Sequence, residues 1–400
     1  MIKKILHLLE TLLYSIDKKK YMNAASQDPI PSIKSERDVA EIFFNNRISA
    51  PFRIICEVTY RCNAHCIHCY APPPHPAITE LTPEQWETAI QDIAESGVFR
   101  IVFTGGEPLL REDLYSMIEL SHELGMLTFL ETNGSLVDEE RAEKLVDAGL
   151  QYINISINRW RAPLYDAFSG HKGLFNKVVK AFTILKDLPV ETAVFTTINK
   201  MNIPEIPKII DLAAHLDAGR IAFVHISPAG RAVTSERLYP SAQEYVSVLK
   251  EIEKKEREYP DLVIKYPNLP AYYFEKSIGL EAYHRIQREE GYIEQCTAGI
   301  TSFVIDPAGN IKPCTVTSDH ILGSIISDSL TSVWRTSSLL EKLRDYKKET
   351  ESPCDQCHLV SQCVAGHRCL DHQLECLMCE KGSIAAPLCK QCFEFMQASP

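Results

Sequence analysis

Between residues 53 and 258 the chain alternates short β-branched or apolar runs with longer stretches whose apolar residues recur at helical spacing, six times over. The runs are RIICEVTY (53–60), RIVFTGG (100–106), LTFLETNG (127–134), YINISIN (152–158), VETAVFTTI (190–198) and RIAFVHISP (220–228). Helical patterns follow from LTPEQW, where Thr82 can cap and Pro83 takes the first turn, and then near 111–124, 138–148, 173–187, 204–216 and 241–258. Strands that alternate with helices of this length need crossover connections, so the sheet is expected to be parallel with right-handed crossovers. Several runs are apolar at consecutive positions, as strands covered by helices are. A doubly wound sheet and a barrel both satisfy the pattern. In either, chemistry gathers beyond the C-terminal ends of the strands, and the unusual residues stand there: Cys62 to Cys69 after the first run, Gly105 to Pro108 after the second, Asn133 after the third.

Composition narrows the class. The 53 acidic side chains outnumber the 42 basic ones, for a net charge of −11, which argues against a nucleic-acid binder with its basic stripe. No apolar run approaches the ~20 residues that span a bilayer. Residues 1–20 place Ile2, Ile5, Leu6, Leu9, Leu12, Leu13 and Ile16 at helical spacing, flanked by Lys3, Lys4, Lys18, Lys19 and Lys20. That is an amphipathic helix without the cleavage site of a signal peptide. It either packs on the body of the protein or is the one place for membrane or partner contact. A cytoplasmic location is expected, and there clustered cysteines bind metal more often than they form disulfides.

The chain holds 14 cysteines. Cys56, inside the first strand, reads as a small buried hydrophobe. In RCNAHCIHCY, Cys62, Cys66 and Cys69 form C-x3-C-x2-C, a loop short enough to aim three thiolates at one point. Thiolates are the usual ligands of iron–sulfur clusters, and three of them on four irons leave one iron open to a substrate or cofactor. Zinc, completed by His65 or His68, is the competing occupant.

A C-x3-C-x2-C loop after the first strand, with GGEP (105–108) after the second, resembles the radical S-adenosylmethionine (SAM) superfamily over roughly residues 52–230. The resemblance implies a partial (β/α)6 barrel of parallel strands, an α/β fold, over 51–275. It implies that Cys62, Cys66 and Cys69 hold a 4Fe–4S cluster whose fourth iron chelates the amino and carboxylate groups of SAM. Gly105 and Gly106 let backbone approach closely, Glu107 receives the methionyl ammonium, and Thr132 and Asn133 line the cavity floor. Ser156 and Asn158 match positions that bond the ribose or carboxylate, although many relatives carry an acidic residue at 158. PAGRA (228–232) resembles a stretch whose arginine, here Arg231, reaches the SAM carboxylate. The cofactor's reductive cleavage would give a 5′-deoxyadenosyl radical that abstracts hydrogen from a substrate inside a closed cavity. No catalytic acid or base can be singled out.

From about residue 290 the texture changes, and ten cysteines crowd the remainder: Cys296, Cys314, Cys354, Cys357, Cys363, Cys369, Cys376, Cys379, Cys389 and Cys392. Cysteine density of this kind describes a metal-stapled module that need not bury much apolar core. Cys296, the hairpin signal DPAGNIKPC ending at Cys314, and C-x2-C-x5-C at Cys354, Cys357 and Cys363 resemble the SPASM extension of radical SAM enzymes. The resemblance implies one or two auxiliary iron–sulfur clusters in a small C-terminal domain, 276–400, after a helix and linker at 1–50. Cys296, Cys314 and Cys369 would serve the first cluster, and Cys354, Cys357, Cys363 and one tail cysteine the second. Beyond Cys363 the spacing departs from the family, and the pairs Cys376/Cys379 and Cys389/Cys392 also suit a zinc site. Sulfatase-maturing relatives carry an aspartate directly after the cysteine matching Cys314. Here Thr315 stands there, against that particular dehydrogenation.

The function expected from the resemblance is modification of a ribosomally made peptide or protein, with electrons from a flavodoxin or ferredoxin. The alternative is a tetrapyrrole or other small-cofactor maturase, because HCYA (68–71) and PAGRA also look like the haem-biosynthesis branch. A non-catalytic zinc or electron-transfer scaffold is the remote alternative.

Overall fold

All six expected strands form at their expected places: β1 (Arg53–Thr59), β2 (Arg100–Gly105), β3 (Leu127–Thr132), β4 (Tyr152–Ser156), β5 (Glu191–Ile198) and β6 (Arg220–His225). The computed structural model describes residues 50–71, 78–227, 229–267, 269, 271–290, 298–316 and 320–345. The helix expected in 1–20, and Cys296, Cys354, Cys357, Cys363, Cys369, Cys376, Cys379, Cys389 and Cys392, lie outside the described residues.

The strands stand side by side in chain order and pair in parallel, and β7 (Val263–Lys265) adds a seventh beyond β6. That order decides between the two windings. A doubly wound sheet reverses direction at a switch point, and this one does not. With every crossover of one hand, the helices gather on one face of an open sheet. The core records it: Ile54, Cys56 and Val58 of β1, Ile101 and Phe103 of β2, Leu130 of β3 and Ile153 and Ile155 of β4 share one cluster with the helix residues. Alternation along a strand therefore turns Glu57, Thr104, Glu131 and Asn154 to the face without helices.

The connecting helices are α1 (Pro83–Glu95), α2 (Leu114–Glu123), α3 (Glu139–Asp147), α4 (Ala162–Ser169), α5 (Leu174–Leu185), α6 (Ile206–His215) and α7 (Ala242–Glu258). Thr82 caps α1 in a reciprocal box with Gln85, with Pro83 in the first turn, and Ser241 and Glu244 do the same for α7. Within residues 50–267 one strand and one α-helix escaped sequence reading. β7 has three residues, too few to show alternation, and α4 has eight residues and no side-chain cap.

After β7 come α8 (Ala271–Ser277) and α9 (Gly279–Glu290), then β8 (Ser302–Ile305), β9 (Asn310–Lys312) and β10 (Gly323–Ser324), with α10 (Leu330–Thr336) and α11 (Ser338–Asp345) behind them. β8 pairs in parallel with β1 and β9 folds back antiparallel on β8. The sheet is thus continuous from β10 to β7, with β1 between the two chain segments. Asp306 closes the β8–β9 hairpin: its Oδ1 accepts from the N–H groups of Ala308 and Asn310, each at 3.0 Å, while Gly309 takes φ +85°. The turn foreseen in DPAGN is present, and it returns the chain along β8 toward Cys314.

Candidate active site

The loop leaving β1 is held by hydrogen bonds from three directions. The C-terminal carbonyls of α4, left open by helix geometry, accept from it: His65 N donates to Ser169 O at 2.7 Å and Ile67 N to Phe168 O at 3.1 Å. From the other side, Asn63 Nδ2 donates to Ser135 Oγ and Asn133 Nδ2 to Asn63 Oδ1, both at 2.8 Å. His171 Nδ1 meets the Asn63 carbonyl at 2.7 Å. The third hold is the segment after β6, where Arg231 N donates to Cys69 O and Arg231 Nε to Cys66 O, both at 2.9 Å. Cys62, Cys66 and Cys69 are thereby fixed as free, partly buried thiols.

Burial pushes all the resolved thiol shifts upward. Cys62 rises for that reason first, with Glu107 and Cys69 adding to it, while the Ala64 N–H at 3.4 Å and Asn133 Nδ2 at 3.9 Å favour its thiolate. Cys66 is pushed up to about 12 by burial and then by Cys69 and Cys62, against the pull of Arg231. Cys62 and Cys66, raised by burial and by their neighbouring thiols, belong to a donor set that suits a cationic group. Among the described residues no three His, Cys, Asp or Glu side chains converge on the position of one metal ion. The His68 ring is instead stacked on Phe168 at 4.7 Å, and burial, then Arg231, lowers it to about 4. With His68 packed on Phe168, the three thiols are a donor set that fits an iron–sulfur cluster.

The GGE turn is built against this loop. A Cβ on Gly105 would lie 2.3 Å from Thr59 O and one on Gly106 2.2 Å from Arg61 O. The close approach these glycines permit is thus to the end of β1, where Gly106 N donates to Thr59 O at 2.7 Å and Glu107 N to Arg61 O at 2.8 Å. Glu107 is fully buried. Its Oε1 accepts from Leu109 N at 3.1 Å and Thr132 Oγ1 at 2.7 Å, and its Oε2 from Asn133 N at 2.8 Å. Burial outweighs those three bonds and raises the carboxyl to about 7. An acceptor position on Oε2 remains for a further donor.

The other expected residues are placed in different ways. Ser156 ends β4 half-buried, its carbonyl accepting from Tyr165 OH at 2.6 Å. Asn158 is buried, and its Oδ1 accepts from Thr197 N at 2.9 Å, tying β4 to β5. Cys314 lies half-buried just beyond β9. Sequence reading missed four participants. Arg111, 7% exposed, bonds Val58 O and Leu81 O at 3.2 and 3.1 Å and pairs with Asp113 at 2.6 Å. Glu57, Tyr60 and Lys312 form a buried group: Lys312 Nζ lies 3.5 Å from Glu57, 3.6 Å from Asp306 and 3.2 Å from Tyr60 OH. The signal for Glu57 was available, because its place in the RIICEVTY alternation opposes Ile54, Cys56 and Val58.

A parallel sheet wound in one direction, with three thiols at its C-terminal mouth buttressed by a GGE turn, defines an α/β iron–sulfur enzyme. Residues 56–213 match the model of the radical SAM superfamily, and residues 296–358 that of SPASM, an iron–sulfur cluster-binding domain. The chain belongs to the radical SAM superfamily and is a radical SAM/SPASM enzyme, whose family cofactors are a 4Fe–4S cluster and SAM. It is 27% identical over 322 residues to the AdoMet-dependent heme synthase of Methanosarcina barkeri, covering 79% of this chain and 91% of that protein. It is also 27% identical over 349 residues to the PqqA peptide cyclase of Bradyrhizobium diazoefficiens, covering 84% and 85%. Streptococcus suis SuiB, solved bound to precursor peptide SuiA, shares the fold with a TM-score of 0.65 over 90% of this chain and 82% of that one, at 15% identity. Among the described residues no helix is long and apolar enough to cross a membrane.

Proposed function

We propose that the enzyme abstracts hydrogen from a ribosomally made peptide or protein and so modifies it. The observation that carries this reading is Glu57. Its carboxylate is 1% exposed on the helix-free face of β1, with Oε2 held by Tyr60 OH at 3.1 Å and by Lys312. Its Oε1 has no partner. A buried carboxylate oxygen without a donor calls for one, and a peptide supplies amide, ammonium or guanidinium N–H groups. Beside it Thr104 Oγ1 donates to Glu131 Oε2 at 3.2 Å, so the surroundings are rich in acceptors. The similarity to a PqqA peptide cyclase supports the same reading.

In this reading Cys62, Cys66 and Cys69 hold the 4Fe–4S cluster, and Gly105, Gly106, Glu107, Ser156 and Asn158 form the SAM pocket. Bound together, cluster and SAM supply a hydrogen-abstracting carbon radical by one-electron cleavage of the sulfonium. The protein's part is to fix the thiols, offer the remaining Glu107 acceptor to an ammonium, and keep water from the helix-free face. Residues 51–275 form the barrel and 276–400 the auxiliary module. In that module Cys296, Cys314 and Cys369 would ligate one cluster, and Cys354, Cys357, Cys363 and a tail cysteine a second, with zinc for the remaining tail thiols. A cytoplasmic flavodoxin or ferredoxin is the proposed reductant.

A tetrapyrrole maturase is the second reading. It is favoured by the contact of HCYA with PAGRA, through Arg231 and Cys69, and by the heme synthase relative. Against it, tetrapyrrole carboxylates would meet Glu57 and Glu131. The deciding experiment gives anaerobically reconstituted enzyme, SAM and dithionite either the short-peptide fraction of the native host or an iron porphyrin bearing propionates. Stimulated 5′-deoxyadenosine release with a mass change in one peptide is expected. Stimulation by the porphyrin alone would overturn the peptide reading.

A further inference from the structure

We infer that Arg231 is a positioning residue for the cysteine loop, holding its Cys66–Cys69 turn in place and favouring the reduced state of the cluster there, rather than a ligand of the SAM carboxylate. The inference rests on the assignment of that cluster to Cys62, Cys66 and Cys69.

The contact between the two segments is extensive. Arg231 N and Nε reach the carbonyls of Cys69 and Cys66, and the Cys66 carbonyl also takes Cys69 N at 3.3 Å, so one guanidinium bond closes the same turn that the loop closes for itself. Gly230 lies flat against the loop: a Cβ there would stand 2.5 Å from Cys69 O and Ala71 O and 2.6 Å from Tyr70 O. Ile67, between two of the cysteines, packs on a small apolar cluster of Ile226, Ala232 and Leu238 that roots the Arg231 segment. Tyr239 OH adds a bond to Ala232 O at 3.0 Å. The backbone around Arg231 is thus anchored independently of any cofactor, and Nε is committed to the loop.

That geometry sets a charge beside the site. Arg231 Nε stands 2.9 Å from the Cys66 carbonyl, so its guanidinium is a fixed cation beside the loop that carries the thiols. Reduction of a cluster adds one negative charge, and a fixed neighbouring cation stabilises the more negative state and raises the potential. Arginine holds this place because its planar fork can bond a carbonyl and still present charge.

The test is a SAM-free redox titration, followed by electron paramagnetic resonance, of the anaerobically reconstituted holoenzyme, Arg231→Gln and Arg231→Lys. The signal that disappears in Cys66→Ala identifies this cluster among any others. If no signal disappears, the cluster assignment itself has failed. Given that signal, Arg231→Gln should move its midpoint to a more negative potential and Arg231→Lys should recover most of the shift. A SAM-free potential unchanged in Arg231→Gln, with only SAM affinity reduced, overturns the inference. A second pair of variants tests the docking. Gly230→Ala should lose iron to a chelator about tenfold faster than wild type, the scale of one lost hydrogen bond to a charged group. Gly173→Ala, at a similar positive φ of +82° but with nothing within 4 Å, should retain iron as wild type does. Equal behaviour of the two glycine variants also overturns it.

Discussion

The hydroxyl of Thr132, at the end of β3, donates to Oε1 of Glu107 at 2.7 Å, so the carboxylate that follows β2 is secured by the neighbouring strand. The same carboxylate is raised from 4.5 to about 7 by burial. Between those two pH values the folded protein keeps a proton that the unfolded chain has released. Stability therefore falls as pH rises through that window, by about 3 kcal/mol for a shift of this size. Glu107→Gln cannot release the proton and removes this slope. Urea denaturation of wild type and variant at about pH 5 and about pH 8 checks it, as the difference between the two proteins at each pH. Taking the difference matters because His68, lowered to about 4, contributes with the opposite sign.

Arg111 fastens the entry to α1. Its guanidinium takes the carbonyls of Val58 and Leu81 and pairs with Asp113 and, at 3.4 Å, with Glu80. Arg111→Met keeps the apolar stem and leaves those groups without their donor. The expected cost is about 3–5 kcal/mol, the scale for breaking a buried pair. Chemical denaturation reads it directly, and a loss under about 1 kcal/mol would mean that solvent replaces the guanidinium.

Lys312 and Glu57 join the hairpin carrying Cys314 to the first strand of the barrel. Either single change, Lys312→Met or Glu57→Gln, should destabilise by about 3 kcal/mol, because each strands a buried partner. The double variant should cost clearly less than the sum, since the two residues share one interaction. A double-mutant cycle on unfolding free energies measures the coupling. Simple additivity would show that the two act independently.

Much of this was legible in the chain itself, for identifiable reasons. Helices and strands of ordinary length carry their periodicity, and caps such as Thr82 with Gln85 mark their ends. β7 and α4 were missed because three and eight residues without strong caps leave little pattern. α4 matters most among the omissions, because its terminal carbonyls hold the cysteine loop. The site's motifs were visible by spacing, but their physical roles were not. Gly105 and Gly106, expected to admit a cofactor, also seat the end of β1. Arg231, expected beside the SAM carboxylate, reaches loop carbonyls through N and Nε. Such partnerships join residues as far apart as Cys66 and Arg231, 165 positions in sequence. They depend on the register of the sheet, which a list of local patterns does not contain.

Radical chemistry in this enzyme turns on three early thiols acting together on SAM. The direct measurement is 5′-deoxyadenosine formation under dithionite by anaerobically reconstituted wild type and Cys66→Ala, with iron counted in both. Wild type should cleave SAM, and the variant, still folded, should form none and hold about four fewer irons, the content of one cubane. Continued cleavage by Cys66→Ala at the wild-type rate would contradict the account.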